Sequence, residues 1–478
     1  MKYILILFLV LAMNPILHAQ EHKHLTIKGD SSLYDQDMLP ASFHKQRREE
    51  VRKLMPDSSI AVFFAAPIRN RSNDVDYEYH QDPNFYYLSG FNESNAVLVI
   101  TKTPVRFGSV ITNEIIFVQD KDPGSEVWTG RRLGADQAKN VLEIDVAFQS
   151  SAFGEYPFNF GRFSKVLIVP QHGDVRDDKN DRGDLFSMIK MFNDQVDPLK
   201  GKVNRYKLPE IMATLRQIKT AEEIILLRKA IDITCQAQME LMKTLRPGMK
   251  EYQTEAIVEF VFATSGAESE GFPSIQGGGS NGCILHYNTN RKTLTSKDLL
   301  VSDIGAEYHG YTADVTRTLP VNGRFNKEQA IIYDIVLRAQ DAGIAKCKIG
   351  NKFWDPHEAA TEVITKGLLE LGIIKKAGEV KKYFLHGTSH YLGLDVHDPG
   401  LYGTLQANMV ITVEPGIYIP EGSDCDPKWW NIGIRIEDDI LITSKGPENL
   451  SACVPRTMAE IERIMAQSSL FEQFIPGK

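Results

Sequence analysis

Apolar and polar side chains alternate with period two through stretches late in the chain, and this alternation predicts strands. In residues 409–418, Met409, Ile411 and Val413 fall on one face and Val410, Thr412 and Glu414 on the other, until Pro415-Gly416 stops the run. Glu414 therefore ends a strand. In residues 432–443, Ile432, Ile434, Ile436 and Ile440 share a face, while Arg435, Glu437 and Asp439 share the opposite one. Asp438 lands on the apolar face, which predicts a bulge or strand end beside it and a solvated surface position for its carboxylate. A third stretch, residues 301–318, holds two strand-like runs around His309-Gly310, which suits a two-residue turn. Pairing Tyr308 with Tyr311 sets Gly305 opposite Asp314 and puts Asp303 on the same face. The two aspartates become diagonal neighbours, about 7 to 8 Å apart at the backbone, close enough for both to reach one cation.

Earlier in the chain the pattern is of another kind. Short apolar runs at residues 60–65, 96–100 and 115–118 read as strands with helical stretches between them, which predicts an α/β domain over residues 40–208. After Pro209 the period changes. Thr220 with Glu223 forms a capping-box signature, and Ile224, Leu227 and Ile231 give a helical apolar stripe. A second domain, residues 215–470, starts there. Arg131-Arg132 beside Trp128 suits either a substrate carboxylate or an interdomain or subunit contact.

Composition narrows the function classes. A chain of 478 residues with 42% hydrophobic content exceeds what one core organises, in keeping with two domains. A net charge of -8 without a basic patch offers nucleic acid nothing to hold. At the start, Met1-Lys2, an apolar run over residues 3–13 and the small-residue end Leu17-His18-Ala19 predict a secretory signal, residues 1–19, cleaved after Ala19. The run is too short to span a bilayer, so no stable membrane anchor is expected. The mature chain is then periplasmic or extracellular. Five cysteines, Cys235, Cys283, Cys347, Cys425 and Cys453, are scattered and odd in number, and they define no disulfide framework. Cys283, three residues before His286, is expected to be a small buried packing residue.

The last third of the chain carries the chemistry. Asp303, Asp314, Glu414 and Glu437 lie at strand positions that can converge, and residues 384–398 add His386, His390 and His397 among glycines. A four-residue histidine spacing also suits a helical zinc site, but the glutamate such a motif needs after its first histidine is absent, and Gly387 and Gly393 oppose a helix. Four carboxylates and an imidazole brought together repel one another unless cations neutralise them, and hard oxygen donors suit divalent metals. Asp303, Asp314, His390, Glu414 and Glu437 thus read as a two-metal hydrolytic centre.

These segments resemble a known family. Residues 285–290 (LHYNTN), 301–318, 386–398, 412–418 (TVEPGIY) and 433–439 (GIRIEDD) are similar to those of aminopeptidase P and prolidase, metallopeptidases with the pita-bread fold. Residues 71–100 and 126–134 resemble the amino-terminal domain of aminopeptidase P in particular. The resemblance implies an α/β amino-terminal domain followed by an α+β pita-bread (creatinase/aminopeptidase-like) catalytic domain. It also implies that Asp303 holds one metal, that His390 and Glu414 hold the other, and that Asp314 and Glu437 bridge both. His286, His386 and His397 would line the substrate site, and Arg435 would orient a carboxylate. Two divalent ions, manganese by preference, and a homodimer or homotetramer are expected on the same ground.

The implied activity is removal of a single amino-terminal residue from peptides with proline second. Hydroxide held between the two cations attacks the carbonyl, His397 helps to stabilise the oxyanion, and Glu414 carries a proton from water to the departing nitrogen. In an Xaa-Pro bond that nitrogen is a tertiary amide with no hydrogen, so a site that needs an amide donor rejects it. Pita-bread relatives that bind without metal, and creatinase-like enzymes, lack parts of the ligand set that is complete here. Prolidase, restricted to dipeptides, is the nearer alternative.

Overall fold

The computed structural model describes residues 37–471 apart from 108, 157 and 180. The predicted signal, residues 1–19, lies outside the described residues. Among those described, no helix is long and apolar enough to cross a membrane.

The amino-terminal domain is built on a six-stranded sheet. Its order is Val146–Gln149, Val110–Val118, Val97–Phe107, Ser59–Phe64, Lys165–Ile168, Val203–Asn204. The central strands bury both faces, because alternation sends Ile60, Val62 and Phe64 into one apolar cluster and Ala61 and Phe63 into another. The second cluster runs on without interruption into the catalytic domain, where it includes Leu227, Ile231 and Ile304. One continuous core therefore joins the two units. The helix Lys207–Arg216 follows the sheet and leads to the helix Ala221–Thr244, whose Thr220 and Glu223 form the reciprocal cap read from the sequence.

Small antiparallel sheets flanked by helices make up the second domain. Leu299–Ile304 pairs with Ile275–Gly278 on one side and Val315–Pro320 on the other, Val410–Val413 pairs with Asp438–Thr443, and Gly416–Ile419 pairs with Ile432–Arg435. The hairpin has the expected register: Tyr308 faces Tyr311 and Asp303 faces Thr316, which sets Gly305 opposite Asp314. The ladder is interrupted at Gly305, and the helix Ala221–Thr244 supplies the missing partners. Thr234 Oγ1 accepts from the Ala306 amide at 2.9 Å, and Gln238 Nε2 donates to the Ser302 and Val315 carbonyls at 3.0 and 2.9 Å. A second glutamine repeats the device: Gln340, on the helix Lys327–Ile344, donates to the Val413 carbonyl at 3.2 Å and to Asp438 at 2.9 Å.

Two expectations are corrected. Asp438 is fully buried, not solvated, because it opens the strand Asp438–Thr443, where positions on both faces are enclosed. Arg317 meets it at 2.8 Å and Ser451 at 2.7 Å, so the charge is compensated. The other concerns Cys283; cysteine pairing itself, on which the scattered positions were silent, occurs once among the described residues. Cys235, on the helix Ala221–Thr244, is bonded to Cys453, 218 positions away in sequence, with Cα atoms 6.2 Å apart. Cys283 is half-buried rather than fully enclosed, and burial pushes its thiol up to about 11.

Candidate metal centre

Asp303, Asp314, His390, Glu414 and Glu437 line one cavity of about 530 Å³, together with His286, His386, His397 and Arg435. Every site residue read from the sequence therefore faces the same space. Different local geometries bring them there. Asp303 and Asp314 come from the hairpin, Glu414 follows the strand Val410–Val413 at the Pro415 break, and Glu437 occupies the step between the strands Ile432–Arg435 and Asp438–Thr443. The three histidines near 390 sit on irregular backbone, as the glycines around them require.

His390 shows what the centre is arranged to hold. Its Nδ1 lies 3.1 Å from the Tyr391 carbonyl, which can only accept, so Nδ1 carries the hydrogen and the Nε2 lone pair points inward. Facing that lone pair are Asp314 at 3.4 Å, Glu414 at 3.5 Å and Glu437 at 4.0 Å, all acceptors when ionised. Ligand atoms of Asp314, His390 and Glu437 lie within 4.8 Å of one another. Asp303 Oδ1, Asp314 Oδ1 and Glu437 Oε1 are buried without a hydrogen-bond partner. Lone pairs converging on lone pairs need a cation between them, and this donor set of oxygens with one neutral imidazole fits divalent metal.

The electrostatics agree. Burial, then the charges of Asp303 and Asp439, raise Asp314 well above the carboxylate range. Burial, then the charge of Asp314, do the same to Glu437. Glu414 is raised to about 7 by burial, with His390 and Arg435 opposing the shift. Shifts in this direction mark carboxylates that are costly to keep ionised without a cation beside them.

A polar chain orients the rim. Arg435 donates to Asp303 Oδ2 at 2.6 Å and to the Tyr418 hydroxyl at 2.9 Å, and that hydroxyl donates to His386 Nε2 at 2.7 Å. His386 Nδ1 donates to the Gly387 carbonyl at 2.8 Å, so its ring is neutral, and burial lowers it to about 4. His397 stacks edge-on against His390 at 4.4 Å and is likewise lowered, by burial first. Thr316 donates to Glu437 Oε2 at 2.7 Å and accepts from Arg435 Nε at 3.2 Å. Sequence reading missed Tyr418 and Thr316. The signal existed for Thr316, two positions after Asp314 on the same face of the run, whereas Tyr418 lies beyond the Pro415-Gly416 break in another sheet.

Comparison with known proteins agrees with this geometry. Residues 225–444 match the model of metallopeptidase family M24, and residues 44–162 match that of the aminopeptidase P N-terminal domain. A Xaa-Pro aminopeptidase of Escherichia coli is 37% identical over 445 residues, covering 88% of this chain and 97% of that protein.

The chain belongs to metallopeptidase family M24.

An Escherichia coli aminopeptidase P variant in complex with substrate superposes with a TM-score of 0.80 at 34% identity, covering 90% of this chain and 98% of that one. A zinc-substituted Escherichia coli aminopeptidase P in complex with product gives the same score at 35% identity and the same coverage. The two-domain plan of this M24 member, an aminopeptidase P amino-terminal domain followed by a pita-bread catalytic domain, is thus the plan of those structures. As a family member it is a metallopeptidase, and its cofactor is divalent metal.

Proposed function

We propose that the chain is a Xaa-Pro aminopeptidase, releasing the first residue of peptides that carry proline second. The observation that carries this reading is the convergence of four carboxylates and the inward Nε2 of His390 on a cavity also walled by His286, His386 and His397. Asp303 would hold one metal, His390 and Glu414 the other, with Asp314 and Glu437 shared. When bound, such a pair supplies Lewis acidity and acidified water.

The chain's own groups do the rest. Glu414, whose carboxylate faces His390 in the cavity, takes a proton from the attacking water at a carboxylate oxygen and returns it to the proline nitrogen as the bond breaks. His397 can present an N–H group to the oxygen of the tetrahedral intermediate, while His386, whose Nδ1–H is given to the Gly387 carbonyl and whose Nε2 accepts from Tyr418, walls the substrate site. Arg435 holds Asp303 in place and keeps Tyr418 turned to His386. The acidic wall attracts the free amino group of the substrate, which restricts cleavage to the first residue.

Manganese is the proposed metal, supported by a donor set of hard oxygens with a single imidazole. Export is proposed from the pattern of residues 1–19 and is supported by the Cys235–Cys453 bond, which persists in oxidising compartments. Assembly as a homodimer or homotetramer is proposed through the amino-terminal domain, where Val127 and Trp128 are 81% and 88% exposed.

Purified signal-free protein, stripped with chelator and reloaded with single metals, tests the reading on Xaa-Pro-Yaa peptides, their amino-acetylated forms and Xaa-Pro dipeptides. Metal-dependent release of Xaa from the free peptides, with manganese most effective, is expected. Equal cleavage of acetylated peptides would count against recognition of the amino group, and activity confined to dipeptides would make the protein a prolidase.

A further inference from the structure

His286 reaches the cavity from an exposed loop, and a single buried carboxylate on a neighbouring helix organises that loop. Glu251 opens the helix Glu251–Thr264 and is fully buried. Its Oε1 accepts from the Gly278 amide at 2.8 Å and from Asn281 Nδ2 at 2.9 Å. Its Oε2 accepts from the Tyr287 hydroxyl at 2.8 Å and from the Lys292 amide at 2.7 Å. All four donors belong to residues 278–292, two before His286 and two after it. The Lys292 ammonium goes elsewhere, to the Gly278 carbonyl at 2.8 Å and Asp298 at 3.1 Å. Compensation of the buried anion therefore falls on loop amides and neutral side chains, and losing the anion would leave four inward donors unmatched. One turn along the helix, Glu255 holds the end of the same segment by accepting from Asn290 Nδ2 at 2.8 Å.

We propose that Glu251 is a positioning residue for substrate: its carboxylate fixes the loop that presents Leu285, His286 and Asn288 to the cavity. This rests on the aminopeptidase reading and adds the device that sets one wall of its substrate site. Glutamine at 251 keeps the volume but turns an NH2 toward two of the four donors, so the loop must shift. The shift reaches substrate through His286 and leaves the metal ligands, on other segments, in place.

A double-mutant cycle tests this. Wild type, Glu251→Gln, His286→Ala and the double variant are compared for kcat/KM on a Xaa-Pro-Yaa peptide and for Kd of a proline-leading dipeptide, which has the chemistry of the product. Metal content and Tm are measured alongside. Glu251→Gln is expected to lower kcat/KM and weaken dipeptide binding about tenfold with metal content unchanged, and to change either by less than about twofold when His286 is already alanine. Tyr287→Phe, which removes one donor without disturbing the fold, is expected to weaken dipeptide binding about threefold, again only when His286 is present. Equal losses in both backgrounds, or no loss in either variant, overturn the proposal. If wild type itself leaves Xaa-Pro-Yaa uncut, the aminopeptidase reading fails instead, and the dipeptide titration still reports on the loop.

Discussion

Thr316 is bonded at once to one proposed metal ligand and to the arginine behind another, donating to Glu437 and accepting from Arg435. Valine has its shape without its hydroxyl. Thr316→Val should therefore leave the fold intact while freeing one oxygen of Glu437 and one N–H of Arg435, and partners of this kind typically change metal affinity or activity roughly 10- to 100-fold. Titration of the stripped protein with manganese, followed by turnover on Xaa-Pro-Yaa, measures it; affinity equal to wild type would show that Glu437 is held by other means. At this scale the sequence was legible where side chains stay in phase. Asp303, Asp314 and Glu414 stand where alternation puts them, because a strand fixes the face of every second residue. Asp438 departs from the expectation because both faces of its strand are covered, so an acid there is buried and compensated by Ser451 and Arg317, partners more than ten and more than a hundred positions away that alternation does not reveal.

Gly305 shows how an element carries the centre. A Cβ there would stand 1.8 Å from the Ala313 carbonyl oxygen, backbone that cannot yield without opening the hairpin between Asp303 and Asp314. Gly305→Ala should cost about 1–3 kcal/mol of stability and lower metal affinity with it. Thermal unfolding with and without manganese checks both, and an unchanged Tm together with full metal loading would mean that the hairpin has more slack than its packing implies. The hairpin was legible as an element because turn and register are local; Tyr308 opposite Tyr311 fixes every pair beyond it. Its supports were not. Thr234 and Gln238, which satisfy the interrupted ladder, lie about seventy residues away on a helix whose apolar stripe announces only a core-facing side.

Across the whole molecule, the helix start at Thr220 was legible from a four-residue cap, whereas the links between the amino-terminal and later parts of the chain join positions far apart in sequence and leave no periodic trace. Arg216, Lys219 and Asp398 form a buried clasp that also reaches Asn84 in the amino-terminal domain. Nearby, His80 meets Glu307 at 3.0 Å, while His309 meets Glu268 at 2.6 Å and Asp37 at 2.8 Å. The hydrogen bond to Glu307 raises His80. Burial opposes protonation of His309, and its bonds to Glu268 and Asp37 outweigh burial, so it too is raised. A histidine raised by folding stabilises the folded state fully below its unfolded value, about 6.5, and loses that contribution as pH climbs through the higher folded value. Attachment of the amino-terminal segment to the hairpin should therefore weaken from about pH 6.5 upward. His309, 1% exposed, should dominate over His80, 49% exposed and screened by solvent. His309→Gln keeps a polar side chain but cannot be protonated, so its Tm should fall below wild type in the acidic range and converge on it as pH climbs through the raised value of His309. A gap that stays constant as pH rises would show that His309 acts through packing, with its charge playing no part in joining the domains.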